Sequence, residues 1–78
     1  MYRVVVRKVQ KFGDSYGVIL PKSFCELNKL KKGESITLLD FGNFLILLPL
    51  KIENDKIEKI VNSDEFSKFK EMIRGVIE

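Results

Sequence analysis

Basic side chains are concentrated in the first 32 residues, where they could bind a ligand of opposite charge. Residues 1–32 contain eight basic and two acidic residues, a net charge of +6, whereas residues 33–50 carry −2 and residues 51–78 carry −1. The overall net charge of +3 conceals this asymmetry. Clustered Lys and Arg side chains attract polyanions through their summed field. The pattern therefore predicts a polyanion-facing surface near the N-terminus.

The elements that must position these cations follow from the local composition. Residues 2–12 are rich in β-branched valine, which predicts a strand. Residues 13–17 have the composition of a turn, residues 18–20 are a short apolar strand, and Pro21 is suited to begin a helix over residues 22–28. Side chains alternate along a regular strand, so one face of the first strand would carry Arg3, Val5, Arg7, Val9 and Lys11.

Residues 35–48 predict a β-hairpin whose apolar faces cannot both be buried within one chain. Residues 35–39 and 44–48 read as strands joined by Asp40-Phe41-Gly42-Asn43. The run FLILLPL at residues 44–50 is apolar on both faces, so it requires two covering layers. A 78-residue chain with one cysteine and no histidine has neither an intrachain disulfide nor the usual zinc ligands to support its core. We therefore expect a second copy of the chain, in a homodimer.

Composition also bears on the broad class of protein. No stretch approaches the ~20 apolar residues of a membrane span, and the first residues lack the apolar core of a signal peptide. A single cysteine is typical of a reducing compartment, so we expect a cytoplasmic protein without membrane association. The carboxylates show no paired arrangement suited to acid–base chemistry. We expect no enzyme activity, no catalytic residues, no metal and no cofactor.

Residues 51–78 differ from the preceding region because they predict helices. A short helical segment includes residues 57–61, and residues 62–65 resemble a capped helix start with acidic residues in the first turn. An amphipathic helix follows, with an apolar stripe of Phe66, Phe69, Met72, Ile73, Val76 and Ile77. Two interpretations stay open. In the first, the stripe reinforces the dimer or packs back on the first region. In the second, it binds a partner through Phe66, Phe69, Met72 and Ile73.

The order of these elements resembles the AbrB/MazE-type swapped-hairpin family, also called the SpoVT-AbrB domain. The resemblance rests on VVRKVQKFGDSYGVILPKSF, a Lys-Lys-Gly-Glu turn and ITLLDFGNFLILLP, and it covers about the first fifty residues. It implies a mainly β fold with short helices, in which hairpins from two chains interlock into one small β-barrel homodimer. We expect this domain over residues 1–50 and an α-helical C-terminal extension over residues 51–78.

The resemblance also implies double-stranded DNA as the polyanion. Arg7, Lys8 and Lys11 match basic positions of the family's first strand and loop, and Asp14-Ser15 matches its common Asn-Ser. The Ser15 hydroxyl would then bind a phosphate oxygen. Arg3 and Lys22 complete the expected DNA-binding set. Members often carry an arginine in the second strand or short helix, where this chain has Ile19, Cys25 and Glu26. Lys22, Lys29, Lys31 and Lys32 would compensate for that missing charge.

Three functions follow from these expectations. The first is a homodimeric regulator of transcription that contacts DNA through the basic first strand and the following loop. The second is an antitoxin of the same family, which binds its own promoter and neutralises a toxin protein through residues 63–78. The third is a dimerisation module that does not bind DNA.

Overall fold

The computed structural model describes residues 2–78 as a mixed α and β chain with two two-stranded antiparallel sheets and three helices. The chain divides into two compact units, Met1–Gly33 (the N-terminal unit) and Glu34–Glu78 (the C-terminal unit). The elements in order are β1 (Gln10–Phe12), β2 (Ser15–Gly17), α1 (Lys22–Leu27), β3 (Thr37–Asp40), β4 (Leu45–Leu48), α2 (Asn54–Val61) and α3 (Asp64–Ile77).

The first strand is shorter than the sequence predicts. Only Gln10–Phe12 is paired, with Ser15–Gly17, whereas residues 2–9 and 18–20 have no ladder partner within the described chain. A strand exists through hydrogen bonds to a neighbouring strand, and the N-terminal unit offers no third strand to supply them. The valine-rich sequence favours an extended chain, but pairing is confined to the hairpin.

A two-residue turn joins β1 to β2. Phe12 lies opposite Ser15, so Gly13 and Asp14 are the central residues, and the turn is shorter than the predicted span 13–17. Gly13 has φ +62° and Asp14 does not have a positive φ, as in a type II′ turn with glycine first. A side chain at Gly13 would therefore be strained.

Helix α1 follows Pro21 as predicted and ends in a left-handed residue that is not glycine. Lys29 has φ 55°. The Leu30 amide donates to the Cys25 carbonyl at 2.8 Å, and the Lys29 amide donates to the Glu26 carbonyl at 3.2 Å. These are the two hydrogen bonds of a Schellman motif, which satisfies carbonyls at a helix C-terminus. Lysine pays a conformational cost at a position where glycine is usual.

The β3–β4 hairpin has one half-buried face and one open face. Thr37 lies opposite Leu48 and Leu39 opposite Ile46, and these four side chains are half-buried. On the other face Leu38 and Leu45 are exposed, whereas Leu47 is half-buried. The connection matches the prediction: Gly42 has φ +89°, and its amide donates to Asp40 Oδ1 at 2.8 Å. The second apolar face thus has only a partial cover in the single chain.

Thr37 ties the segment after β4 back to the hairpin. Its hydroxyl donates to the Leu50 carbonyl at 2.7 Å and accepts from the Ile52 amide at 3.1 Å. The hairpin and the residues after it consequently form one unit. The division of the single chain into compact units falls after Gly33, and the two domains expected over residues 1–50 and 51–78 stay a prediction.

The two C-terminal helices form where the sequence predicts them. Ser63 is the N-cap of α3, and its hydroxyl accepts from the Phe66 amide at 3.1 Å. Asp64 and Glu65 lie in the first turn, where carboxylates interact favourably with the helix dipole. The predicted capped start at residues 62–65 is confirmed.

An aromatic cluster joins α3 to the β3–β4 connection. Phe66 is 9% exposed and is the one buried side chain among residues 2–78. Its ring centroid is 5.4 Å from that of Phe41, which stacks on Phe44 at 5.0 Å. Lys70 Nζ lies 5.7 Å from the ring centroids of both Phe41 and Phe66, within cation–π range. The core of the C-terminal unit is this cluster.

Candidate nucleic-acid interface

Arg7 and Lys8 lie in the unpaired segment that leads into β1, and both side chains are exposed. Within residues 2–78, the one ion pair joins Lys22 Nζ to Glu26 Oε1 at 3.8 Å, and both partners are largely exposed. Arg7, Lys8 and Lys11 are therefore not neutralised by a carboxylate of the described chain. Such side chains can attract an anionic ligand without first breaking an internal pair.

Arg3 is held at the start of α1, the helix whose first residue is Lys22. Arg3 Nη2 donates a hydrogen bond to Ser23 Oγ at 3.0 Å, which links the N-terminal segment to the residue next to Lys22. The hydroxyl is neutral, so the guanidinium keeps its charge and its remaining donors. Arg3 can anchor the segment and still contribute to a positive surface.

Lys11 and Ser15 are close in the hairpin but project from opposite faces. Lys11 pairs with Tyr16, and Phe12 pairs with Ser15. Residues directly opposite each other share a face, and successive residues alternate. One face of the β1–β2 hairpin therefore carries Lys11 and Tyr16, and the other carries Phe12 and Ser15. A flat ligand docked on one face would reach only one of the two pairs.

Tyr16 is not among the site residues that the sequence predicts, because the composition of residues 13–17 predicts a turn. In the structure it belongs to β2, beside Lys11, with 74% of its side chain exposed. The signal that could have identified it is the Gly13-Asp14 pair. A glycine at the first central position indicates a two-residue type II′ turn, and that turn would place residue 11 opposite residue 16.

The apolar stripe of α3 is divided between covered and open side chains. Phe66 is buried in the aromatic cluster and Ile73 is half-buried. Phe69 is partly exposed although its ring lies 6.1 Å from that of Phe66, and Met72 is 70% exposed. The four residues expected to bind a partner thus do not form one free surface. Met72 and Val76 are the most open residues of the stripe.

The exposed cations of the N-terminal unit can form ion pairs and hydrogen bonds with an anionic ligand. Residues 2–78 contain no group of three or more His, Cys, Asp or Glu side chains able to hold a metal ion. Cys25 is a free, half-buried thiol. None of the helices in this part of the chain is long and apolar enough to cross a membrane. The exposed cations of the N-terminal unit are the clearest chemical feature.

Comparison of the chain with protein-family models, with curated proteins and with solved structures gave no match.

Proposed function

We propose that this chain is a homodimeric DNA-binding regulator of transcription. The observation that carries the proposal is the set of Arg7, Lys8 and Lys11 in and before an exposed hairpin, without a carboxylate partner in residues 2–78. Contacts from Lys and Arg to phosphates supply much of the affinity of proteins for DNA. The resemblance to the AbrB/MazE-type family, whose basic positions these residues match, supports the same ligand.

The exposed area of the single chain supports the dimer. The chain exposes 7235 Å², whereas a folded monomer of 9.1 kDa exposes about 4,900 Å². Two chains together would have an excess of about 4,700 Å², which lies in the range of about 2,000 to 5,000 Å² that obligate homodimers bury. A second copy is the plainest means of removing this excess.

The unpaired N-terminal segment is where the second copy would dock. Residues 2–9 form no ladder within their own chain, and Val4 and Val6 are exposed. In a regular strand these two valines share the face opposite Arg3 and Arg7. Pairing with strands of the partner would satisfy the free backbone groups and bury the valine face, while the arginine face stayed open. This arrangement corresponds to the interlocked swapped-hairpin barrel of the family.

Salt dependence of DNA binding tests the proposal. Two copies of Arg7, Lys8 and Lys11 present six cations, and full engagement predicts a slope of log K against log salt of about −5. The variant Arg7→Gln/Lys8→Gln/Lys11→Gln should bind weakly and flatten this slope. Fluorescence anisotropy of a labelled duplex, titrated at several salt concentrations, measures both quantities.

A charge-matched control distinguishes an effect of the Arg7, Lys8 and Lys11 surface from an effect of net charge alone. The variant Lys56→Gln/Lys59→Gln/Lys68→Gln removes the same three charges from α2 and α3, so both triple variants have a formal net charge of zero. The control should keep the wild-type slope. If both variants lose DNA binding equally, the affinity depends on net charge and not on the position of Arg7, Lys8 and Lys11. An intact dimer that binds no duplex even at low salt would favour the dimerisation module instead.

A second candidate is an antitoxin of the same family, and the open part of α3 favours it. Met72 and Val76 are highly exposed, although they lie on an amphipathic helix. A toxin protein bound there would cover them. Limited proteolysis of the chain with and without the product of an adjacent small nuclease gene tests this idea. Protection of residues 63–78 only in the mixture would support it.

A further inference from the structure

The β1–β2 hairpin places an aromatic hydroxyl beside one of the proposed DNA-binding cations. Lys11 and Tyr16 are directly opposite in the register, and both are exposed. Opposite residues of an antiparallel pair have their Cβ atoms about 5 Å apart and on the same face. The ammonium of Lys11 and the phenol of Tyr16 can therefore reach the same ligand together.

Tyr16 is not buried by packing within residues 2–78, because 74% of its side chain is exposed. Phe12, the other aromatic residue of the hairpin, rests on Gly17, since a Cβ atom at Gly17 would come within 3.0 Å of Phe12 Cε2. The close aromatic contacts of residues 2–78 involve Phe41, Phe44, Phe66 and Phe69, and none includes Tyr16. A large exposed tyrosine without such a contact is available to an external ligand.

We propose that Tyr16 donates its phenolic hydrogen to a DNA phosphate next to the phosphate bound by Lys11, an inference that rests on the proposed DNA-binding function. Tyrosine hydroxyls are among the regular phosphate contacts in protein–DNA complexes. The Lys11 ammonium turns the shared face toward the DNA backbone. Tyr16 then contributes a neutral hydrogen bond, whereas Ser15 projects from the opposite face. Tyr16 thus replaces Ser15 as the hydroxyl that contacts DNA.

Three single substitutions test the separate roles of Tyr16, Lys11 and Ser15 through the affinity for DNA and its salt dependence. Tyr16→Phe should weaken binding of a labelled duplex by on the order of tenfold, because a hydrogen bond to a charged group is lost. It should leave the salt slope unchanged, because the phenol is neutral. Lys11→Gln should reduce the slope by about 2 for the two copies in a dimer. Ser15→Ala should change the affinity less than twofold.

Two results would overturn the inference. One is Tyr16→Phe binding as tightly as the unchanged protein. The other is a greater loss from Ser15→Ala than from Tyr16→Phe, which would show that the Phe12–Ser15 face contacts DNA. Circular dichroism and sedimentation of Tyr16→Phe check that fold and dimer are retained. If this conservative change dissolves the dimer, Tyr16 is an interface residue and the inference is wrong.

Intrinsic fluorescence provides an independent test, because the chain has no tryptophan and only two tyrosines, Tyr2 and Tyr16. In a Tyr2→Phe variant, all tyrosine emission comes from Tyr16, and duplex binding should quench it. In the matched Tyr16→Phe variant, emission comes from Tyr2 and should stay nearly constant. If anisotropy detects no binding by Tyr2→Phe or by the unchanged protein at low salt, the proposed function fails. Binding without any change in Tyr16 emission contradicts only the role of Tyr16.

Discussion

The two compact units of the chain use their apolar side chains in different ways. The C-terminal unit buries Phe66 against Phe41 and fastens the residues after β4 through the Thr37 hydroxyl. The N-terminal unit has no buried side chain among residues 2–33, and its valines are mostly exposed. Hydrophobic burial is the main favourable term in folding, so the N-terminal unit has little internal stabilisation. One unit thus has a core of its own, whereas the other buries little within the single chain, and the proposed second copy would cover it.

Two exposed valines, one in each unit, provide the most direct test of this contrast. Val6 is 87% exposed and Val76 is 84% exposed in the single chain. If a second copy covers the N-terminal segment, Val6→Asp buries an unpaired charge, a change of several kcal/mol, and the dimer should dissociate. Val76→Asp should leave the dimer intact.

Analytical ultracentrifugation distinguishes the outcomes, since the monomer has a mass of 9.1 kDa. A Val6→Asp variant that keeps twice this mass would place the interface elsewhere. Dissociation by Val76→Asp instead would assign α3 to the dimer contact. That result would also favour reinforcement over partner binding as the role of the tail.

Phe66→Ala tests whether the C-terminal unit has a real core. Truncation of a buried phenylalanine removes its transfer free energy and leaves a cavity, at a cost of about 3 kcal/mol. Urea unfolding followed by circular dichroism measures the loss. Val76→Ala is the exposed control and should change stability by less than about 0.5 kcal/mol. Equal effects from the two substitutions would mean that the aromatic cluster does not stabilise the unit.

Thr37→Val tests the link between the hairpin and the segment after it. Valine has the same shape but lacks the hydroxyl, so the Leu50 carbonyl and the Ile52 amide lose their partner. We expect a loss of about 1 to 2 kcal/mol in the same urea titration. Thr37→Ser keeps the hydroxyl and should be the milder of the two. If Thr37→Ser lowers the stability more than Thr37→Val does, the methyl group of Thr37, rather than its hydrogen bonds, stabilises this link.

Lys29→Gly should produce the smallest change in the free energy of unfolding, and it should stabilise the protein rather than destabilise it. Lys29 is the only non-glycine residue with a positive φ among residues 2–78. Glycine relieves the left-handed strain, and its greater freedom in the unfolded chain offsets part of the gain, so we expect stabilisation by about 0.5 kcal/mol. Lys31→Gly removes the same charge without this strain and should not stabilise. Equal unfolding midpoints for the two variants would contradict the role of the Schellman motif.

The helices were the most predictable part of the fold. Pro21 before α1 and Ser63 before α3 are local signals, because their effects depend on neighbours within one turn. The β3–β4 connection was also predictable from Asp40-Phe41-Gly42-Asn43. Strand length was not predictable, because valine-rich residues favour an extended chain whether or not a neighbour is present to pair with it.

The residue types of the candidate site were predictable, but the face of the hairpin on which each side chain lies was harder to predict. The cations Arg7, Lys8 and Lys11 stand out by charge alone. The separation of Lys11 from Ser15, and the pairing of Lys11 with Tyr16, depend on hairpin register. A register shift of one residue moves every side chain to the other face, so composition carries no information about it. Only the Gly13-Asp14 turn contained a usable signal.

By itself the sequence determined the basic N-terminal region, the helix starts and the excess of apolar side chains, because these are properties of composition and of neighbours along the chain. The tertiary structure alone decided that Phe66 packs against Phe41, that Thr37 joins β3 to the segment after β4, and which side chains share the half-buried face of the β3–β4 hairpin. Each of these contacts joins residues distant along the chain or depends on register. Such contacts form only when the whole unit folds, and no local pattern specifies them.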